Sequence, residues 1–145
     1  MKRVVVTGIG AVTPIGNTAE ETWHNMLAGV SGAAPITHFN AEKFKTQFAC
    51  EVKNFDATKY IDRKEARKMD LYCQFALAAA QMAVEDSGMD VETLDRNRAG
   101  VVMGVGIGGM RTYEEEVMSY AKTAETIGPK FSPFFVPKMI ADICA

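Results

Sequence analysis

An α/β fold built on a parallel sheet, and only partly present in this chain, is the class the sequence predicts. Three observations predict it. Lys2 to Thr7, "KRVVVT", and Ala99 to Val105, "AGVVMGV", are β-branched apolar runs of the kind buried on both faces of a parallel sheet. Helical segments with legible caps separate the two runs. Two strong strands and one or two weak ones are too few for such a sheet, so the fold looks incomplete within these 145 residues.

Taken in order, "GIGAVTPIGN" follows the first strand as a loop, since its glycines and proline interrupt any regular element. Asn17 or Thr18 caps the helix that follows. Thr18 with Glu21 forms a capping box, acids occupy the first turn, and Gly29 ends the helix. Trp23, Met26, Leu27 and Val30 fall on one face at helical spacing and are expected in the core. From Val30 to Ile61 the signal is mixed, with a short extended piece expected at Phe48 to Val52. A long helix starts at "DRKEARKMD", with Ala66, Met69, Cys73, Ala76, Leu77, Ala80 and Val84 on its apolar face and Gly88 at its end. Its alanine run allows close packing all round and predicts deep burial. After the second strand and its glycines, "MRTYEEEVMSYAKTAE" reads as an exposed helix, "IGPKFSPFFVP" as a loop, and "KMIADICA" as the start of a last helix.

Composition narrows the function. The formal charge of -2 excludes a globally basic nucleic-acid binder, so any basic patch is local. Three cysteines, Cys50, Cys73 and Cys144, stand at no metal-ligand spacing and are expected as reduced thiols, with no metal. No apolar stretch approaches the roughly 20 residues that span a bilayer, and "MKRVVVTG" is too short for a signal peptide core. A cytoplasmic protein with no membrane insertion is expected.

"VVMGVGIGGM" contains Gly104-x-Gly106-x-x-Gly109, the spacing of a dinucleotide-binding turn. Its surroundings disagree with that use. Glu114, Glu115 and Glu116 crowd the early turns of the next helix, where they would repel a pyrophosphate, and "IGPKFSPFFVP" stands where a returning strand should. Glycine also serves plain close approach of backbone to something bulky, whether a helix or an apolar ligand. Spacing alone leaves a hydrocarbon tunnel and simple core packing equally open. In "DRKEARKMD", Lys64, Arg67 and Lys68 fall at i, i+3 and i+4 with Arg63 beside them, a face that a solvated helix start would also present.

"KRVVVTGIGAVTPIGN", "DRKEARKMD", "GVGIGG" and "SPFFVP", in this order and at these separations, resemble the β-ketoacyl-acyl carrier protein synthases of type II, over essentially all 145 residues. The resemblance implies the N-terminal portion, residues 1–145 without internal boundary, of a thiolase-like layered α-β-α-β-α fold that continues beyond residue 145, usually as a homodimer. It implies an acyltransferase of fatty-acid elongation that performs a decarboxylative Claisen condensation without a cofactor. An acyl chain passes from a carrier-protein thioester to a cysteine, and malonyl-carrier protein then loses carbon dioxide and attacks it. The nucleophile motif, of the form TACxSG, and both catalytic histidines come later in that family and are not in these residues. Cys144 lacks the flanking pattern, and His24 and His38 match no family base. The 145 residues are therefore expected to be inactive alone.

What the resemblance carries over is binding. Arg63, Lys64, Arg67, Lys68 and Lys130 match positions that receive the acidic acyl carrier protein, although Pro129 stands where relatives often carry Arg. Ile107, between Gly106 and Gly108, matches the gate of the acyl pocket. Phe135 matches a residue that reaches across the dimer to line the partner's pocket. A homologue that keeps this fold but lacks the nucleophile, binding the carrier or controlling chain length, is the alternative implied.

Overall fold

Helix α1, Ala19–Leu27, starts where the expected cap lies. Thr18 is the N-cap and its hydroxyl accepts from the Glu21 amide at 3.1 Å, while Glu21 accepts from the Asn17 amide at 2.7 Å. Ala28 closes the helix and Gly29 follows at φ +69°. The computed structural model describes residues 2–123 and 131–139. Within them the chain forms two compact units. One comprises residues up to Asp56 together with Ala78–Met89; the other comprises Ala57–Leu77 and the residues from Asp90 onward.

In the first unit the apolar stripe of α1 faces outward, contrary to expectation. Trp23 is 57% exposed and Leu27 67%. The reason is polar. Thr22 and Asn25 occupy the inward face, with Thr22 Oγ1 3.0 Å from Thr13 Oγ1 and Asn25 Nδ2 donating to the Ile15 carbonyl at 2.6 Å. Those bonds set the rotation of the helix, and amphipathic spacing reports a face without saying what covers it. Strand β1, Ala34–Pro35, pairs antiparallel with β2, Phe48–Ala49, so the expected extended piece at Phe48 is shorter than predicted. Glu51 holds the residues that follow β1. Its carboxylate accepts from Thr37 Oγ1 at 2.6 Å, from the Thr37 amide and from the His38 amide, with His38 Nδ1 3.9 Å away.

The Thr37 hydroxyl is the largest influence holding the Glu51 carboxyl below its ordinary value of 4.5, and the Thr37 and His38 amides and the His38 charge add to it. A depressed carboxyl stabilises the fold above its unfolded value, and that contribution is lost as pH falls through the folded value. The Thr37 and His38 amides are therefore expected to keep their hydrogen-exchange protection at neutral pH and lose it below pH 4.5. Glu51→Gln removes this pH dependence.

The expected long helix is two helices. Asp62 caps α2, Arg63–Ala66, by accepting from the Lys64 amide at 2.8 Å, and α3 runs over Leu71–Ser87 before Gly88 at φ +62°. Between them the chain makes tight turns, with the amides of Lys68 and Met69 donating to the carbonyls of Glu65 and Ala66. Side chains hold the break open. Gln74 Nε2 donates to the Ala66 and Met69 carbonyls at 3.0 and 3.2 Å, supplying partners that a continuous helix would not need. Cys73 and Ala78 are fully buried, whereas Ala80 is exposed, so burial on α3 is deep only along part of the alanine run. Gly8 and Gly10 bring the first loop against the carbonyls of Ala83 and Ala79, which explains why small residues are needed there.

The two runs expected as parallel strands form no ladder among the described residues. Val4 is 92% exposed and Val102 98%. A strand is defined by a neighbour that takes its N–H and C=O groups, and none of the described residues supplies one for either run. Helix α4, Met110–Thr123, follows the glycines as expected. Helix α5, Phe135–Met139, begins inside the segment expected as a loop. Pro137 is tolerated there because it falls in the first turn, where its missing N–H has no intrahelical partner to lose. Among the described residues no helix is long and apolar enough to cross a membrane.

Candidate functional site

The second unit contains every residue singled out for docking or acyl binding except Lys130, which lies outside the described residues together with Cys144. Arg63 and Lys64 open α2, Arg67 is its C-cap, and Lys68 lies in the following turn. The four thus share one helical turn and a tight turn after it, where a single continuous helical face was expected. Arg63, Lys64 and Arg67 are exposed, and none has a carboxylate within ion-pair distance among the described residues. Lys68 differs. Its ammonium bonds Glu65 at 2.5 Å, which spends part of its charge within the segment.

The glycine turn has two halves with different surroundings. No described residue stands within 4 Å of a Cβ built on Gly104 or Gly106, and Ile107 is 80% exposed. Gly108 stands at φ +84°, and a Cβ there would collide with the Met139 carbonyl. Gly109 is buried against the Lys138 carbonyl, its amide donating to the Met139 carbonyl at 3.4 Å. The turn is therefore pinned on its C-terminal side to the end of α5. Gly108→Ala combines a left-handed backbone cost of roughly 1–2 kcal/mol with a main-chain clash. It is expected to lower the melting temperature of the protein by several degrees, as read by calorimetry.

Past the glycines, Asp70 takes the N-terminal turn of α4. Its Oδ2 accepts from the Thr112 hydroxyl at 2.5 Å and from the Thr112 amide at 3.2 Å, and Thr112 is 7% exposed. A helix N-terminus is the place a dinucleotide's pyrophosphate would occupy; here a carboxylate of the chain already fills it. Arg111 bonds Glu115 at 2.8 Å, and that bond, with the charges of Glu115 and Asp70, raises the guanidinium above its ordinary value. Asp70, Gln74, Arg111, Thr112 and Lys138 line a cleft of about 190 Å³. This linkage was missed in the sequence, since 42 residues separate its two ends.

Phe135 opens α5 in a ladder of rings. It stacks on Tyr113 at 6.3 Å and on Phe131 at 5.2 Å, and Phe131 stacks on Tyr120 at 5.4 Å between centroids. The Ser132 amide donates to Glu116 at 3.0 Å, tying the start of this segment to α4. Phe135 is only half-buried and Phe134 is exposed, which leaves an aromatic surface at α4 and α5. Cys73 is fully buried and Cys50 exposed, His24 lies 3.8 Å from Glu20, and His38 lies 3.9 Å from Glu51.

A family model described as the beta-ketoacyl synthase N-terminal domain matches residues 1–145. A 3-oxoacyl-[acyl-carrier-protein] synthase 2 of Synechocystis is 44% identical over 99% of the chain, which covers 34% of that protein. The chain thus spans about a third of the length of the curated relatives it matches. The ishigamide ketosynthase/chain length factor has 31% identity and a TM-score of 0.86 over 99% of this chain and 35% of its own. A type II polyketide ketosynthase, solved in complex with its acyl-carrier protein and bound to the hexaketide, has 29% identity and a TM-score of 0.76 over 99% and 37%. The elements described above are the corresponding part of a thiolase-like fold, as expected from the sequence.

Proposed function

The chain belongs to the beta-ketoacyl synthase family by its N-terminal domain, and we propose that it is the carrier-docking and acyl-pocket portion of a 3-oxoacyl-[acyl-carrier-protein] synthase. In the full polypeptide an acyl group moves from its carrier thioester to a cysteine thiolate outside these residues, and the carrier thiol leaves. Malonyl-carrier protein loses carbon dioxide, its carbanion bonds to the acyl carbon, and the cysteine thiolate departs. A homodimer places Phe135 of one protomer against the acyl pocket of the other.

Within that reaction these residues bind and position. Arg63, Lys64 and Arg67 draw an acidic carrier protein by charge before contact, with Lys68 contributing less because of Glu65. Lys130 joins them by its place in the sequence. Ile107, carried between Gly106 and Gly108, gates the tail. The support that weighs most is the match to a 3-oxoacyl-[acyl-carrier-protein] synthase 2 along 99% of the chain. Incubating the full-length polypeptide with acyl- and malonyl-carrier protein tests it: a 3-oxoacyl thioester two carbons longer is expected, with release of carbon dioxide.

The likeness to a ketosynthase/chain length factor favours one second reading, a homologue that binds the carrier and sets chain length without condensing. The residue at the nucleophile position past Ala145 decides between them. Cysteine there supports condensation, and a glutamine supports the second reading.

A further inference from the structure

The docking segment and the glycine turn are joined by a short chain of contacts inside one unit. Gln74 Nε2 holds the carbonyls of Ala66 and Met69, at the end of the basic segment. The next residue, Asp70, starts α3 through its own carbonyl, which accepts from the Cys73 and Gln74 amides at 3.1 and 3.2 Å. Its carboxylate then reaches Thr112 by two bonds, five residues past Ile107. A Cβ on Gly109 would stand 3.1 Å from the same Asp70 oxygen, so the carboxylate also lies against the turn itself. On the far side of the turn, no described residue stands within 4 Å of a Cβ built on Gly104 or Gly106.

We propose that Asp70 is a positioning residue that couples docking of the carrier protein on Arg63–Arg67 to the setting of the Ile107 turn, a role that rests on the function proposed above. Its carboxylate is engaged by the Thr112 hydroxyl and amide. It acts because a displacement of the basic segment moves Met69 and Asp70 together, and a carboxylate bonded to a buried hydroxyl and an amide passes that movement to the first turn of α4. Coupling of this kind requires that docking favour one arrangement of the turn over another.

The test uses the full-length enzyme with Asp70→Asn, Thr112→Val and Thr112→Ser. Two acyl donors are compared, one on the carrier protein and one a carrier-free pantetheine thioester, alongside the Kd for the carrier protein. Coupling predicts that Asp70→Asn and Thr112→Val leave that Kd within about twofold but lower kcat with the carrier-bound donor about tenfold, the effect of one charged hydrogen bond. The carrier-free donor should change little, and Thr112→Ser, which keeps the hydroxyl, should restore the wild-type ratio. Equal losses with both donors, or an unchanged ratio in a folded variant, overturn the proposal. If Asp70→Asn does not fold, Thr112→Val decides by the same ratio. A wild-type enzyme that turns over the carrier-free donor but does not bind the carrier overturns the docking assignment as well, so the two failures are separable.

Discussion

Reversing the charges of Lys64 and Arg67 to Glu in the full-length polypeptide is expected to weaken acyl-carrier-protein binding by about a hundredfold or more at low ionic strength. The cost is this large because each change replaces an attraction with a repulsion, and both side chains are exposed with no carboxylate of their own among the described residues. Lys68→Glu should cost less. Its ammonium is already bonded to Glu65, so the reversal places two acids side by side in a segment that gave the carrier little at that point. Titrations at rising salt check both statements. The wild-type affinity should fall steeply with salt and that of the double variant should stay nearly flat, since the screened charges are no longer attractive. Equal affinities at low salt would remove the docking role from this segment.

Ile107→Phe is expected to change which acyl chains are accepted while leaving the fold intact. Ile107 is 80% exposed within these residues, and the exchange of one apolar side chain for another leaves the backbone of the turn unchanged. A gate of greater bulk excludes long tails before short ones. With primers of increasing length, kcat/KM should drop about a hundredfold for long chains and within about threefold for the shortest, consistent with the loss of several methylenes of apolar binding. Parallel loss for all lengths would mean that Ile107 serves stability alone.

Much of the local structure was legible because its causes are local. Thr18 and Glu21 cap α1 within one turn, Gly88 ends α3 with a left-handed residue, and the acid-rich stretch after the glycines forms α4. The break at residues 67–70 was not legible, because "RKEARKM" contains only good helix formers and the interruption is held by Gln74 and by Asp70 reaching to Thr112. The outward face of α1 was hidden for a similar reason. Trp23 and Leu27 announce an apolar face, but the hydrogen bonds of Thr22 and Asn25 decide which way it points. The β-branched runs at Val4 and Val102 read as strands but form none among the described residues, because pairing is a property of neighbours that a single run does not contain. At the site, the family resemblance pointed to Ile107 and the basic residues, whereas the anchoring of Gly108 on Met139 and of α4 on Asp70 needed coordinates.

The placement of the acyl tail can be read directly with a carrier protein whose fatty chain ends in a photoreactive group. Irradiated with the full-length enzyme, it should form its adduct on the peptide containing Gly106, Ile107 and Gly108, and mutation of Lys64 and Arg67 should suppress the yield. An adduct formed efficiently elsewhere, with that peptide unmodified while the enzyme turns over, would contradict the assignment of this turn to the hydrocarbon.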